Sequence, residues 1–140
     1  MFCTKTFPNF FSISSGVYQE YHGIIDNYFK DSKLNKTFDV YSEETHREKF
    51  WFDKFEPIWV SAAKQGRKIG TCQWPATDPF EDILNEFLPY DHSLNFSTRL
   101  ELSYDWLFNK NLDLVLTYYD QPDVSLRPKR NNKHRPNQSI

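Results

Sequence analysis

The hydrophobic pattern first becomes regular just after the amino terminus. Phe7, Phe10 and Phe11 recur at helical spacing, and Gly16 follows them as a stop signal. The pattern predicts a short helix that begins near Thr6. A threonine at such a helix start lies beside backbone N–H groups without intrahelical partners, so its hydroxyl is either an N-cap or a nucleophile next to an anion site. Taken alone, the pattern favours the cap.

Later in the chain, helical and strand patterns alternate. Residues 56–66 predict the clearest helix, with proline in the first turn, apolar residues along one side and a final glycine. Residues 69–74 predict a strand, and apolar spacing within 80–88 and within 96–108 predicts two more helices. The run 112–119 is almost continuously apolar, which is typical of a central, buried strand. This alternation predicts an α/β fold.

The remaining stretches predict connections. Residues 17–23 predict a link, and Asp-Asn at 26–27 predicts a turn that leaves the Asn27 amide free. Residues 30–56 are polar and irregular, and they predict a long surface excursion with a short strand near 38–41. Residues 124–140 combine basic residues with Pro and Asn and lack apolar periodicity, which predicts a disordered basic tail.

Composition narrows the class of protein. The 140 residues are 39% hydrophobic and 26% charged, which fits one soluble globular domain. A net charge of -2 argues against a nucleic-acid-binding module. No apolar run approaches the ~18 residues of a membrane-spanning helix, and no signal peptide is visible. Cys3 and Cys72 either form one disulfide or stay free. The sequence does not indicate an oligomeric state.

Few short motifs carry chemistry by themselves. The chain has no glycine-rich phosphate loop and no His-x-x-x-His pair. Triplets for N-glycosylation begin at Asn35, Asn95 and Asn137, and they lean toward secretion. Asp123 follows the strand predicted at 112–119, at the edge where open α/β sheets bind ligands. It is therefore either a metal ligand or, as carboxylates in such places more often are, a turn former.

Five collinear blocks carry a family resemblance. They are Thr-Lys-Thr-Phe-Pro-Asn at 4–9, Tyr-x-Glu-x-His-Gly-Ile-Ile-Asp-Asn at 18–27, Glu-Pro-Ile-Trp-Val at 56–60, Gly-Thr and Trp-Pro within 70–75, and Pro-Asp at 122–123. Together they resemble the ectonucleotide pyrophosphatase/phosphodiesterase family. The resemblance implies that residues 1–123 are a partial catalytic domain with an incomplete alkaline-phosphatase-like sheet and flanking helices. It also implies an extracellular or cell-surface location.

The resemblance further implies a chemistry. Relatives use two zinc ions to cleave nucleotide phosphodiester or pyrophosphate bonds, and some act on phospholipid or choline esters. Thr6 corresponds to the nucleophile, which also contacts one zinc, and the N–H groups after it could assist. Asn27 corresponds to an amide that donates to a phosphate oxygen, and Asp123 to a ligand of the second zinc. The substrate-binding positions implied are Phe7, Lys49, Trp74, Asp78 and Tyr90.

Departures from the family pattern limit the expected activity. The aspartate expected upstream of Thr6 has no counterpart, Arg127 stands where a histidine is expected, and Gln73 stands where nucleotide-cleaving members are aromatic. A catalytic zinc usually takes three protein ligands, and the chain offers only Thr6 and Asp123. We therefore expect no turnover by the chain alone. The alternatives are a noncatalytic derivative that binds nucleotide or another anion through Thr6, Asn27 and Lys49, or a fragment that does not fold.

Overall fold

The first predicted helix begins and ends as expected. The structure, a computed structural model, describes residues 4–126. Helix α1, Thr6–Ser15, ends at Gly16, whose φ of 73° lies in the left-handed region and whose N–H bonds the Ser12 carbonyl at 2.9 Å. Lys5 occupies the N-cap position with extended backbone and no side-chain cap hydrogen bond. Thr6 is thus the first helical residue, and the interpretation of its hydroxyl as an N-cap is wrong.

The polar first half is more ordered than its sequence pattern predicts. The link predicted at 17–23 contains α2, Gln19–His22, and an antiparallel hairpin follows, with β1 at Tyr28–Asp31 and β2 at Lys36–Asp39. Helix α3, Glu43–His46, and a 3₁₀ turn, Lys49–Trp51, come next. The predicted surface excursion is wrong because three of its aromatic side chains are buried in the core: Phe38, Trp51 and Phe52.

A three-stranded parallel sheet forms the second half. Strands β3 (Ile69–Cys72), β4 (Glu86–Leu88) and β5 (Leu114–Thr117) lie in the order β4-β3-β5. The strand at 69–74 is confirmed, but the helix predicted at 80–88 is wrong, since a 3₁₀ helix at Asp78–Ile83 precedes β4. Strand β5 is confirmed as a strand, but in the described part of the chain it lies at the sheet's edge and is half-buried.

The other two predicted helices are confirmed. Helix α4, Ile58–Lys64, begins after Pro57. Helix α5, Phe96–Tyr104, is capped by the Asn95 side chain, which accepts from the Thr98 N–H, and it continues into a π-helical turn, Asp105–Asn109. The final element is α6, Asp123–Leu126.

Two groups of buried side chains hold these elements together. The larger group joins α1, the hairpin, α4, β3 and the 3₁₀ helix that precedes β4; its members are Phe11, Ile24, Phe38, Trp51, Phe52, Trp59, Ile69, Ala76 and Phe80. The smaller group, Cys72, Trp106 and Leu112, packs the π-helical turn against the sheet. The mixed helices and parallel sheet confirm the α/β class.

The remaining sequence predictions concern membrane helices, the cysteines and the tail. Within residues 4–126, no helix is long and apolar enough to cross a membrane. Cys72 is buried without a disulfide partner among the described residues, and burial raises the pKa of its thiol. Residues 124–126 of the predicted tail belong to α6. Cys3, Asn137 and the tail from residue 127 onward lie outside the described residues.

Candidate active site

One cavity gathers nearly all of the predicted site residues. It has a volume of about 430 Å³ and opens where β3, β4 and β5 end, the edge of a parallel sheet at which ligands usually bind. The predicted residues that line it are Thr6, Phe7, Asn27, Trp74, Asp78, Tyr90 and Asp123. Lys49 does not line it. These residues come from segments that are far apart in the sequence, from Thr6 near the start of the described chain to Asp123 near its end.

The start of α1 presents the Thr6 hydroxyl to the cavity. Thr6 is half-buried, and no hydrogen bond from its hydroxyl is found among the described residues. The backbone donors after it are engaged, because the Phe7 N–H bonds Asn27, Pro8 has no N–H, and the Asn9 N–H bonds the Lys5 carbonyl at 3.3 Å. The predicted assistance from these N–H groups is therefore not supported.

The Asn27 side chain is oriented by its neighbours. Its Oδ1 accepts the Phe7 N–H at 3.0 Å, and its backbone N–H donates to Asp26 Oδ1 at 2.6 Å. Its backbone carbonyl accepts from the Val40 N–H at 3.1 Å. Because Oδ1 is occupied, the amide NH₂ is the donor left to the cavity, and it has no partner among the described residues. This arrangement joins the Asn27 amide to the start of α1.

Aromatic side chains form another side of the cavity. We call Trp74, Tyr90 and Tyr118 the aromatic wall. Phe10 packs behind it with its ring edge-on to Trp74 and Tyr118, at centroid distances of 5.0 and 4.9 Å. Trp74 is fixed by its indole N–H, which donates to Ser14 Oγ at 3.0 Å. The wall is thus built on α1 and on the ends of all three parallel strands.

Tyr90 depends on a carboxylate that sequence reasoning did not single out. Its hydroxyl donates to Asp120 Oδ2 at 2.6 Å, while Asp120 Oδ1 lies 4.0 Å from Nη2 of Arg99. Burial, and then the bond to Asp120, raise the pKa of the Tyr90 phenol well above its ordinary value. Asp120 is buried and Arg99 completely so. The only sequence signal for Asp120 was its place directly after the strand predicted at 112–119; Arg99 had none.

Asp123 lines the cavity from the start of α6, the short helix that follows β5. However, residues 4–126 contain no cluster of three or more His, Cys, Asp or Glu side chains arranged to hold a metal ion. Asp120, the nearest other carboxylate along the chain, already accepts from Tyr90. The described residues therefore do not fit a complete zinc site, for which three protein ligands are usual.

The remaining predicted positions have other partners. The Lys49 ammonium bonds the Asp82 carboxylate at 2.9 Å on the surface, outside the cavity lining. Asp78 lines the cavity and lies 3.9 Å from the Arg47 guanidinium, which also lines it. Gln73, where an aromatic residue was expected, is buried with a φ of 61° and donates through Nε2 to the Asp91 carbonyl at 3.0 Å.

Comparison with known proteins points to one family. Residues 1–129 match the family model described as type I phosphodiesterase / nucleotide pyrophosphatase. The chain is 38% identical over 130 residues to bis(5'-adenosyl)-triphosphatase enpp4 of Mus musculus, covering 89% of this chain and 28% of that protein. It is 40% identical over 130 residues to human ectonucleotide pyrophosphatase/phosphodiesterase family member 1, covering 87% and 14%.

Solved structures agree with the sequence comparisons. Murine ectonucleotide pyrophosphatase/phosphodiesterase 5 superposes with a TM-score of 0.78 at 30% identity, over 87% of this chain and 33% of that chain. An inactive threonine-to-alanine variant of that protein in complex with AMP gives the same TM-score at 29% identity. The chain thus spans 28% of the length of its enpp4 relative.

Proposed function

The chain belongs to the type I phosphodiesterase/nucleotide pyrophosphatase family, and from this we propose that its cavity binds a nucleotide at the bond to be hydrolysed, a phosphodiester or pyrophosphate linkage. One observation carries the proposal: the Thr6 hydroxyl and the Asn27 amide, joined through the Phe7 N–H at 3.0 Å, share a single cavity with the aromatic wall. A phosphate next to Thr6 and Asn27 and a base against the wall would together fill both sides of the cavity.

In this proposal Thr6 is the nucleophile. In a complete site its oxygen would bond to phosphorus as the bond to the leaving-group oxygen breaks on the opposite side, and its proton would pass to solvent water. A second water would then cleave the threonine–phosphate bond and restore the hydroxyl. Thr6 lies in the first turn of the ten-residue α1, where the helix dipole stabilises the negative charge of a bound phosphate. The AMP complex of an inactive threonine-to-alanine relative supports both a threonine role and a nucleotide ligand.

Asn27 is the donor to the phosphate. Since Phe7 holds Oδ1, the amide presents NH₂ rather than the oxygen to an anion. A donor that is already oriented before the ligand binds costs little reorganisation free energy. It can then stabilise the charge that develops on a phosphate oxygen.

The aromatic wall is the proposed binding surface for the base. A base stacked on an aromatic side chain gains roughly 1–3 kcal/mol, independent of the base's identity. Tyr90 and Trp74 are the wall residues at which the family resemblance places base contacts, and Asp78 lies in the same lining. This favours a nucleotide over a phospholipid ester as substrate.

Zinc enters the proposal only through the family. Two zinc ions would supply positive charge at the phosphoryl group, but the described residues do not complete a site for either ion. We therefore propose that the 140-residue chain binds nucleotide and does not turn it over by itself.

Location also follows from the family rather than from this chain. We propose an extracellular or cell-surface setting, in which Asn35 is a glycan acceptor. Asn35 is exposed in the turn between β1 and β2, outside the cavity lining, so that a glycan there leaves the site open.

Two measurements on the purified chain test the proposal. Calorimetry with AMP should show binding that Thr6→Ala weakens and Thr4→Ala does not, because Thr4 is an exposed threonine outside the cavity lining. With added zinc, the nitrophenyl ester of thymidine monophosphate should not be hydrolysed above the blank. Absence of AMP binding refutes the nucleotide site, whereas zinc-dependent hydrolysis that Thr6→Ala abolishes refutes the predicted lack of turnover.

A further inference from the structure

The buried side chain of Arg99 connects the ends of two strands behind the aromatic wall. It does not line the cavity, and its exposed fraction is 0%. We propose that Arg99 is a positioning residue that holds Tyr90 in place to receive a planar nucleobase. The identity of the ligand rests on the proposed function, while the effect of Arg99 on Tyr90 does not.

The guanidinium donates to main-chain carbonyls in the segments that follow β4 and β5. Nε bonds the Leu94 carbonyl at 2.9 Å and Nη2 bonds the Asp91 carbonyl at 3.1 Å, both in the segment that follows Tyr90. Nη1 bonds the Tyr118 carbonyl at 3.0 Å, just after β5. A planar guanidinium can make such diverging bonds at once, and a lysine ammonium cannot span the same three carbonyls.

A second connection runs through side chains. Arg99 Nη2 lies 4.0 Å from Asp120 Oδ1, and Asp120 Oδ2 accepts the Tyr90 hydroxyl at 2.6 Å. The Arg99 side chain is completely buried and that of Asp120 is 5% exposed. Burying a carboxylate is costly unless a cation and hydrogen bonds compensate it. Arg99 therefore stabilises Asp120 in the buried position from which it orients the Tyr90 ring.

The two connections meet at adjacent residues. The Asp91 carbonyl, one residue after Tyr90, accepts from Arg99 and also from Gln73 Nε2 at 3.0 Å. Tyr90 is thus fixed at its hydroxyl through Asp120 and at its main chain through Asp91. Tyr90 is 55% exposed, so packing alone does not hold its ring. This is the physical reason to assign its position to Arg99.

The experiment compares Arg99→Met and Arg99→Lys with the wild-type chain. NMR of the chain labelled with ¹³C at tyrosine Cζ reports the surroundings of Tyr90, and Tyr90→Phe assigns the signal. Calorimetry with AMP and with ribose 5-phosphate, which has no base, separates base from phosphate binding. Arg67→Met is the matched control, because the exposed Arg67 pairs with Asp113 at 3.5 Å, outside the cavity lining.

We expect Arg99→Met to shift the Tyr90 signal and to weaken AMP binding by about tenfold, as loss of charged hydrogen bonds would, with ribose 5-phosphate binding unchanged. Arg99→Lys should give a smaller loss, since it keeps the cation without the fork. Arg67→Met should change neither. If Arg99→Met does not unfold cooperatively, Arg99→Lys and Asp120→Asn give the readout instead.

The outcomes separate this proposal from the proposed function. A folded Arg99 variant with an unshifted Tyr90 signal, or with a shifted signal and unchanged AMP affinity, overturns the positioning role. Equal losses for AMP and ribose 5-phosphate also overturn it, because they would indicate a general structural effect. If the wild-type chain does not bind AMP, the nucleotide proposal fails, and the Tyr90 signal alone then decides whether Arg99 positions that ring.

Discussion

The two ends of the Asn27 side-chain amide have different roles, one in the fold and one proposed for the ligand. Its oxygen is used by the Phe7 N–H, which leaves its NH₂ for the cavity. Asn27→Asp keeps an oxygen for Phe7 but replaces the donor by a negative oxygen. We expect AMP binding, measured by calorimetry, to weaken by about tenfold or more, because a charged hydrogen bond is lost and like charges are brought together.

Asn85 provides the control for that substitution. Its Oδ1 likewise accepts a backbone N–H, from Ile69 at 2.8 Å, but it lies outside the cavity lining. Asn85→Asp should leave AMP binding unchanged. A similar loss in both variants would indicate a general charge effect, and no loss in Asn27→Asp would remove Asn27 from the phosphate site.

His22 is a buried histidine that must be neutral. Its Nδ1 accepts the Ile24 N–H at 3.1 Å, so that in the neutral ring the proton is on Nε2, which lies 2.8 Å from Ser12 Oγ. The imidazole is 1% exposed, and burial lowers its pKa from 6.5 to about 4. Protonation would place a hydrogen on Nδ1 and break its bond with the Ile24 N–H, within the segment that leads into β1, and it would bury a charge against α1.

Stability should therefore fall as the solution is acidified. The unfolded chain binds a proton at His22 below pH 6.5 while the folded chain does not until about pH 4. His22 thus destabilises the fold across that window by on the order of 3 kcal/mol in total. Urea unfolding at several pH values should show a shallower pH dependence for His22→Gln. The exposed His92 is the control, and His92→Gln should match the wild type. Identical profiles for all chains would contradict the assignment.

The site residues that the sequence predicted lie in short motifs, whereas those it missed act through contacts made only in the folded chain. Thr6, Asn27 and Asp123 belong to short blocks that carry the family resemblance, so their convergence on one cavity could be anticipated. Arg99 acts through carbonyls that come together only in the folded chain. Lys49 was predicted at the nucleotide, but the structure pairs it with Asp82, 33 positions away, which no local pattern reveals.

Among the elements, β3 depends on a glycine for its packing. A Cβ at Gly70 would come within 2.8 Å of both Leu112 Cδ2 and Trp106 Cε3. Gly70→Ala should therefore destabilise the chain by about 1–3 kcal/mol, the usual cost of overpacking. Urea unfolding of the single variant measures the loss. In a Leu112→Ala background the cost of Gly70→Ala should be smaller, and an equal cost there would show that the contact with Leu112 is not its cause.

Element prediction succeeded where local signals were strong. The helix before Gly66 and the strand after it have a proline start, a glycine stop and a change of periodicity, and both are confirmed. Residues 80–88 were predicted as a helix because their apolar spacing fits one face. The structure instead pairs Phe87 with Thr71 in the sheet. Three residues of strand are too short to set a period, so tertiary pairing decides their structure.

The whole molecule is held by a core that crosses the boundary between the hairpin and the parallel sheet. Phe52 packs against Phe11 of α1, Phe38 of β2 and Phe80 of the 3₁₀ helix before β4, at centroid distances of 5.2, 6.0 and 6.4 Å. One aromatic side chain therefore contacts elements from both halves. This continuity was not predicted, because residues 30–56 are polar overall and the buried aromatics among them follow no simple period.

A core of this kind predicts cooperative unfolding and bears on the alternative that the chain does not fold. Far-UV circular dichroism and tryptophan fluorescence should report one coincident transition in urea, because no half of the core can open alone. Phe52→Ala should lower the free energy of unfolding by about 3–5 kcal/mol, whereas Phe108→Ala, at a side chain 63% exposed, should change it by less than about 0.5 kcal/mol. If Phe52→Ala is too unstable to purify, Phe52→Leu gives a smaller loss in the same direction.

Gradual or separate transitions in the wild type would mean that the hairpin and the sheet do not share a core. The cavity between them would then lack the rigid frame that the nucleotide site requires.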